Sequence, residues 1–550
     1  DLVAQTGSAM QLQAGIHTSD VLVTADPSGE TEMFGDGSAI AKTARDLAGA
    51  GAVVVTEPVH QLAARAFALE KTGDQSGPTQ FYTVAGARSG GSTMRGWASS
   101  LATGFFGRED ELAQIQRRWA KSRSGQGQFV LVSGEPGIGK TRLIDEFSAS
   151  LAPDDHYWVT LQGASLFPNT PYHAIGQMLL HLAQERSNHD DTSDPAATLA
   201  DIFAELGLPA RLLGLITPVI GLTLPDDVPA PNITQEQQRS QLLSSLVEAT
   251  FALARTKPLV LLVDDCQWVD PSSMEIIQML VEQSDDDRLL IIGTARPEFA
   301  APWSERENHS RINLGRMAQG EIRAIITEAA GDGGIDTATI QTVLDRADGV
   351  PLFAEELARL IATSHGEGGQ AAIPPTLRSL LAARLDRLGP ARELLQIAAI
   401  LGRDFPHALL AAISDHPEAE MGVLLAQLAD EQLLFMRGAP PNSTYRFKHA
   451  LVQDAAYDTL PKRRQRELHG LVARTIVDHF PAIAETQQEL LATHWTRAGN
   501  VAQAVAAWQK AGLDAYDRGA CKEAAAHFRY GLAVLEKQPP GPARDEQETG

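Results

Sequence analysis

The chain has 550 residues, 43% of them hydrophobic and 21% charged, with a net charge of −23. A chain of that length exceeds one hydrophobic core and predicts roughly three to four domains, and the composition excludes a disordered polymer. The acidic balance excludes broad nucleic-acid or anionic-membrane binding within this stretch, because phosphate contacts need clustered Lys and Arg.

Two cysteines, Cys266 and Cys521, exclude a disulfide framework and a cysteine metal cluster, and predict reduced thiols in the cytoplasm. Leu259–Val263 is the densest apolar run, far short of the ~20 residues that span a bilayer, so no membrane partner is expected. The start at Asp1-Leu2-Val3 has no basic-then-apolar leader pattern. Together with the ending at Thr549-Gly550, it leads us to expect a piece of a longer polypeptide.

In chain order, Gly86-Ala87-Arg88-Ser89-Gly90-Gly91-Ser92 reads as a linker after an N-terminal segment. From Phe129 the pattern becomes short apolar runs separated by helical stretches, the pattern of a parallel α/β sheet. The runs are Phe129–Ser133, Trp158–Gly163, Leu259–Val263, Leu289–Thr294 and Arg311–Leu314. A second Gly-rich stretch (364–369) precedes Ile373-Pro374-Pro375. After Thr376 the chain reads almost entirely helical, with Leu377, Leu380, Leu381, Leu385 and Leu388 at three- and four-residue spacing. The basic run Lys462-Arg463-Arg464-Gln465-Arg466 reads as a solvated helix start.

Gly134-Glu135-Pro136-Gly137-Ile138-Gly139-Lys140-Thr141 fits the phosphate loop G-x-x-x-x-G-K-[ST]. Glycines let consecutive backbone N–H groups face phosphates, and the following helix, starting with Arg142, adds its positive end. Lys140 is predicted to reach the β and γ phosphates of ATP, and the Thr141 hydroxyl to ligate Mg²⁺. The apolar run Leu259–Val263 ends in two carboxylates. Asp264 is predicted to hold Mg²⁺, and Asp265 to orient or deprotonate the attacking water, with slow turnover because Asp is shorter than Glu. Arg296, just past Leu289–Thr294, is predicted to sense the γ-phosphate, with a surface salt bridge as the alternative.

The motifs FGRED (Phe106–Asp110), GEPGIGKT, LLVDDCQWVDPSS (Leu261–Ser273) and GTARPE (Gly293–Glu298) resemble those of bacterial signal-transduction ATPases with numerous domains. So do DGVPLFAEEL (Asp348–Leu357), IPPTLRSLLAARLDRL (Ile373–Leu388) and YRFKHALVQDAAY (Tyr445–Tyr457). The resemblance runs from about Phe105 to Pro539. It implies a nucleotide switch that is closed with ADP and opened by ATP, and a nucleotide-dependent oligomer. It also implies that Pro351 packs near the adenine and that His449 touches the ADP β-phosphate; a structural histidine is the alternative for His449. Gln267 stands where a His is common and is read as tolerated. Ala498-Gly499-Asn500 with Ala504 and Trp508 recurs as Arg518-Gly519-Ala520 with Ala524 and Phe528, resembling tetratricopeptide repeats at an offset of 20 residues. Such repeats imply a surface for a protein or small-molecule inducer.

Upstream, GIHTSDVLV (Gly15–Val23), FGDGSAIAKTARDLAGAGAVVVTEPV (Phe34–Val59) and QFYTVAG (Gln80–Gly86) resemble the C-terminal half of a class III nucleotidyl cyclase. That family carries an Asn and an Arg four residues apart; an ungapped alignment puts Ala39 and Thr43 there, which supply neither charge nor amide. A shift of two would make Arg45 the catalytic Arg. Asp36 follows the GIHT segment instead of preceding it, so both metal aspartates of that family would lie upstream of Asp1. Glu32 falls at the adenine-reading position.

The expected fold is therefore α/β and α. Residues 1–86 are a cyclase-like half-domain, 87–104 a linker, 105–315 a P-loop ATPase, and 316–363 a helical lid. Residues 373–483 are a winged-helix-like helical domain, and 484–550 tetratricopeptide-like repeats. The leading function is an ATP-binding regulatory switch with slow hydrolysis and a degenerate cyclase-like domain. The alternatives are an adenylate cyclase governed by the ATPase, and a transcription regulator of the same ATPase family.

Overall fold

The computed structural model describes residues 13–18, 22–25, 31–34, 37–49, 51–57, 59–60, 67–72, 79–87, 104–152, 155–187, 194–224, 228, 233–330, 337–364, 376–437 and 443–537. The chain divides into two compact units, Asp1–Gly90 and Gly91–Gly550. Asp36, residues 88–103 and residues 538–550 lie outside the described residues, as does the side chain of Glu32.

In the first unit, β1 (Ala14–Ile16), β4 (Val53–Thr56), β6 (Phe81–Ala87) and β5 (Phe67–Lys71) form one sheet in that order. β1 and β4 run parallel, and the other pairs are antiparallel. A separate hairpin joins β2 (Leu22–Ala25) to β3 (Thr31–Phe34) and leads into α1 (Gly37–Leu47). α1 lies so close to β1 that a Cβ at Gly15 would stand 2.2 Å from the Ala41 carbonyl oxygen, which makes glycine obligatory there. Ala44, Ala48, Val54 and Phe81 form its small core.

The second unit is built on a five-stranded parallel sheet in the order β11 (His309–Leu314), β7 (Gln128–Gly134), β10 (Leu289–Ala295), β9 (Leu259–Asp264), β8 (Tyr157–Gln162). This is the α/β architecture expected from the spacing of the apolar runs. All seven residues of β7 and of β10 are buried because helices cover both faces, and their polar members Gln128, Ser133 and Thr294 stand at or next to the strand ends. On one face, α2 (Glu109–Arg123) and α3 (Lys140–Ala149) bury Ile115, Leu143, Ile144 and Phe147. On the other lie α4 (His173–Arg186), α5 (Pro195–Glu205), α6 (Ala210–Ile216), α7 (Gln235–Thr256) and α8 (Pro271–Gln283). β7 sits between strands that come later in the chain. The C-terminal ends of the strands around it therefore open into a crevice, the position where open α/β sheets bind ligands.

Downstream, α9 (Gln319–Ala330), α10 (Thr337–Ala347) and α11 (Pro351–Ser364) share a core of Ile322, Ile326, Val343, Leu344 and Leu357. The next segment adds strands to a stretch expected to be almost entirely helical. Between α12 (Leu377–Asp386), α13 (Ala391–Leu401), α14 (His407–Ile413), α15 (Glu418–Asp430) and α16 (Ala450–Asp458) lies a three-stranded antiparallel sheet. Its order is β12 (Asp404–Pro406), β14 (Thr444–Phe447), β13 (Leu434–Arg437). Strands of three and four residues are too short to show a two-residue alternation, so the helical pattern around them hides them.

α17 (Lys462–His479), α18 (Pro481–Thr486), α19 (Gln488–Ala498), α20 (Val501–Asp517) and α21 (Cys521–Leu535) are the last elements among the described residues. Gly499 (φ 79°) and Gly519 (φ 72°) end α19 and α20 in the left-handed conformation that glycine adopts without a Cβ penalty. The 20-residue offset therefore relates one helix to the next, not one repeat to the next. Both cysteines are free, Cys266 buried and Cys521 exposed. Among the described residues no helix is long and apolar enough to cross a membrane.

The C-terminal helices reach back to the sheet domain through two buried acids. Glu489 on α19 accepts from the Thr170 hydroxyl at 2.6 Å and from the Asn169 amide at 3.4 Å. Glu523 on α21 accepts from the Ser272 backbone N–H at 2.8 Å and from its hydroxyl at 2.5 Å. Burial pushes Glu489 up to about 7, although the Thr170 and Asn169 bonds favour its anion. The native state therefore holds a proton more tightly than the unfolded chain, and stability falls as pH rises from about 4.3 toward 7. Above pH 7 the charged carboxylate imposes its full cost. Glu489→Gln keeps an acceptor for Thr170 and removes that cost. Thermal unfolding of the two proteins should show the variant more stable by about 1–3 kcal/mol at pH 8, with the gap closing by pH 4.5. An equal gap at both pH values would contradict this.

Candidate nucleotide site

The loop between β7 and α3 folds as its glycines demand. Gly137 (φ 79°) and Gly139 (φ 103°) occupy left-handed backbone, and Gly139 caps α3. Ile138 turns inward, is 2% exposed and packs against the Gly134 backbone, anchoring the loop to the sheet. Lys140 curls over the loop: its Nζ donates to the Gly134 carbonyl at 2.7 Å and to the Glu135 carbonyl at 3.1 Å. Burial lowers the Lys140 pKa, while Asp265 and Asp264 pull it back up.

A cleft of about 800 Å³ opens over this loop. Pro136–Arg142, Asp264, Asp265, Arg296, Pro351 and His449 all line it, so the structure brings most of the sequence-predicted set to one place. Gly134 and Glu135, also predicted to bind nucleotide, do not line the cleft; their carbonyls accept from Lys140. Arg142 pairs with Glu146 one turn on, at 3.5 Å. Pro351 is the first residue of α11, after the Asp348-Gly349 turn in which both residues have positive φ. The neighbouring Leu352 N–H donates to the Gly137 carbonyl at 3.3 Å, and a Cβ on Gly137 would stand 3.5 Å from Leu451 Cδ1 of α16. Two segments distant in sequence therefore approach the phosphate loop.

Asp264 and Asp265 sit where β9 ends beside β10. The Thr294 hydroxyl donates to Asp264 Oδ1 at 2.6 Å and accepts from the Asp265 backbone N–H at 2.9 Å. That bond helps hold Asp265 in left-handed backbone (φ 56°), which is uncommon for a residue other than glycine. Burial raises the pKa of Asp264, and the adjacent Asp265 charge raises it further. Gln267 bridges two predicted residues: its amide donates to Asp265 Oδ1 at 2.9 Å, and its carbonyl accepts the Arg296 backbone N–H at 3.1 Å. The Arg296 guanidinium lies over the Trp268 ring, 5.8 Å from its centroid. From the far side, Arg403 donates to Asp265 Oδ2 at 3.0 Å. His449 caps the start of α16 and is pushed down to about 3 by burial, then by Lys448, Arg403, Arg359 and Arg384, so it is neutral at pH 7.

Sequence reasoning missed Thr294, Arg403 and Asp270. Thr294 and Asp270 stand inside motifs singled out for other residues, while nothing local marks Arg403. Asp270 accepts from the backbone N–H groups of Tyr172, Ala174 and Ser273, at 2.8, 3.2 and 2.8 Å. It thereby fixes the segment that carries Phe167 and His173 into the cleft wall.

Comparison with known proteins covers more of the chain in sequence than in solved structure. An uncharacterized protein of Rhizobium meliloti is 26% identical over 549 residues, 95% of this chain and 52% of that protein. The chain thus spans about half the length of that relative. Hybrid signal transduction histidine kinase G of Dictyostelium discoideum is 26% identical over 187 residues, 34% of this chain and 5% of that protein. Among solved structures, a signal transduction ATPase with a tetratricopeptide repeat sensor from Pyrococcus horikoshii aligns with a TM-score of 0.44 and 15% identity, covering 80% of this chain and 59% of that one. A RuvB of Thermotoga maritima aligns with a TM-score of 0.28 and 15% identity, covering 65% of this chain and 97% of that one. Residues 104–292 match the AAA ATPase domain family, so the chain carries an AAA ATPase domain, within which the phosphate loop, Asp264 and Asp265 lie.

Proposed function

We propose that this chain is an ATP-dependent regulatory switch whose AAA domain binds ATP or ADP with Mg²⁺ in the cleft over Gly134–Thr141. One observation carries the reading: Leu352 of α11 donates its N–H to the Gly137 carbonyl, and Leu451 of α16 stands 3.5 Å from where a Cβ on Gly137 would be. A change at the phosphates would therefore be felt directly by two segments outside the sheet. In this reading α9–α11 act as the lid and the segment from α12 to α17 as a winged-helix-like arm. α19–α21 are tetratricopeptide-like and receive a protein or small-molecule inducer.

The residues fit a hard divalent cation. Thr141 and Asp264 both line the cleft and offer oxygen atoms only, a donor set that would hold a hard divalent cation. Bound Mg²⁺ would neutralise charge developing on the transferred phosphate. Lys140 would leave its two carbonyl partners for phosphate oxygens, its ammonium being stabilised by Asp264 and Asp265. Asp265 would orient and deprotonate the attacking water, and Arg296 would read the γ-phosphate. Pro351 would pack on the adenine and neutral His449 would donate to a β-phosphate oxygen. Limited proteolysis of the full chain tests the switch: ATP and ADP should give different cleavage patterns. Identical patterns at saturating concentrations of both would exclude it.

The N-terminal unit is proposed to be a catalytically degenerate cyclase relative. Ala39 and Thr43 are exposed one turn apart on α1, and the Thr43 hydroxyl is spent on the Ala39 carbonyl at 2.9 Å. Neither supplies positive charge to a transferring phosphate. Purified protein is expected to form no cyclic AMP from ATP with Mg²⁺ or Mn²⁺. Metal-dependent cyclic AMP formation that persists in Lys140→Ala would restore the cyclase reading, with Arg45 the first residue to replace.

A further inference from the structure

The geometry points to Arg403 as a positioning residue that locks Asp265 while the winged-helix-like arm is docked and releases it when the arm moves; this rests on the ATPase reading above. Both oxygens of the Asp265 carboxylate have donors. Gln267 donates to Oδ1 at 2.9 Å from the same loop, and Arg403 donates to Oδ2 at 3.0 Å across 138 residues of chain. A carboxylate held at both oxygens is poorly placed to take a proton from water. Of the two holds, only the Arg403 bond depends on where the arm sits.

The arm is built to aim this side chain. Gly402, at φ 127°, turns the chain against the sheet domain, where a Cβ would stand 2.7 Å from Leu166 Cδ1. The Arg403 carbonyl accepts the Phe447 N–H at 3.0 Å, tying its backbone to β14. The neighbouring Arg446 is held by Asp404, which leaves Arg403 to face the acids. The Arg403 Nε is buried with no hydrogen-bond partner among the described residues. One guanidinium N–H group thus meets Asp265 while another polar atom stays unsatisfied, an arrangement with something to gain from rearrangement. Arg403 also places a positive charge beside both Asp264 and Asp265, where it competes with a divalent cation.

The test uses the full chain, with Arg403→Ala, Arg403→Gln and Arg403→Lys, and thermal unfolding to identify folded variants. Removing the charge should raise kcat for ATP about three- to tenfold with KM unchanged, Lys giving an intermediate value. In the Asp265→Asn background the same substitution should change nothing, because the locked group is already gone. The Mg²⁺ concentration that half-saturates binding of a fluorescent ADP analogue should fall about three- to tenfold in Arg403→Gln. That readout does not depend on turnover. A kcat that is unchanged or lower in the folded variants overturns the inference, a lower value showing that Arg403 serves the phosphates directly. An unchanged Mg²⁺ dependence overturns it as well. Failure of the wild-type chain to bind the analogue would instead remove the ATPase reading itself.

Discussion

Lys140→Ala is expected to weaken ATP and ADP binding roughly tenfold to a hundredfold, as measured by titration calorimetry. Lys140 is the one lysine on the cleft wall whose ammonium already lies on the phosphate loop, at 2.7 and 3.1 Å from the Gly134 and Glu135 carbonyls. Losing a charge-assisted contact to phosphate costs about 1.5–3 kcal/mol. The loop itself should survive, since its shape rests on Gly137, Gly139 and the buried Ile138 rather than on the lysine. Burial lowers the Lys140 pKa, and nearby Asp264 and Asp265 oppose that effect. Wild-type affinity in this variant would remove the assignment of Gly134–Thr141.

Asp265→Asn is expected to separate binding from chemistry. Thr141 and Asp264 remain, so affinity for Mg-ATP should stay close to that of the parent. Turnover should fall about a hundredfold or more, the usual scale for losing a general base. An Asn side chain still accepts from Gln267 and is nearly isosteric, so the left-handed turn at residue 265 and its bond to Thr294 should persist. Hydrolysis at the parent rate would make Asp265 a structural acid and assign the water to another residue. Unlike Arg403→Ala, which frees the carboxylate, this variant deletes it, so the two should shift kcat in opposite directions.

How much of this was legible in sequence depends on how local each feature is. The strand, loop and helix around Gly134–Thr141 are contiguous, and glycine, lysine and threonine there encode their own geometry through φ freedom and helix polarity. The central apolar runs likewise declare the parallel sheet, because β7 and β10 are covered on both faces and show no alternation, whereas the edge strand β11 alternates exposed Arg311 and Asn313 with buried Ile312 and Leu314. β12, β13 and β14 stayed hidden because three or four residues carry too little periodicity. The repeat offset misled for a related reason: Gly499 and Gly519 mark helix ends, and helix ends recur whether or not a two-helix unit does.

The tertiary structure alone decided which distant groups meet. Thr294 bridges Asp264 and the Asp265 backbone because β9 and β10 lie side by side. Arg403 reaches Asp265 because the Gly402 turn fits against Leu166, and Glu523 reaches Ser272 across 251 residues because α21 folds back onto the start of α8. Such pairs leave no spacing in the chain: their positions are set by how whole elements pack, not by neighbours in sequence. The sequence by itself therefore determined the phosphate loop, the two acids and the parallel sheet, each encoded by adjacent residues. Which segment faces those acids, and which arginine donates to Asp265, was settled only when the separate helices and strands buried their apolar faces together.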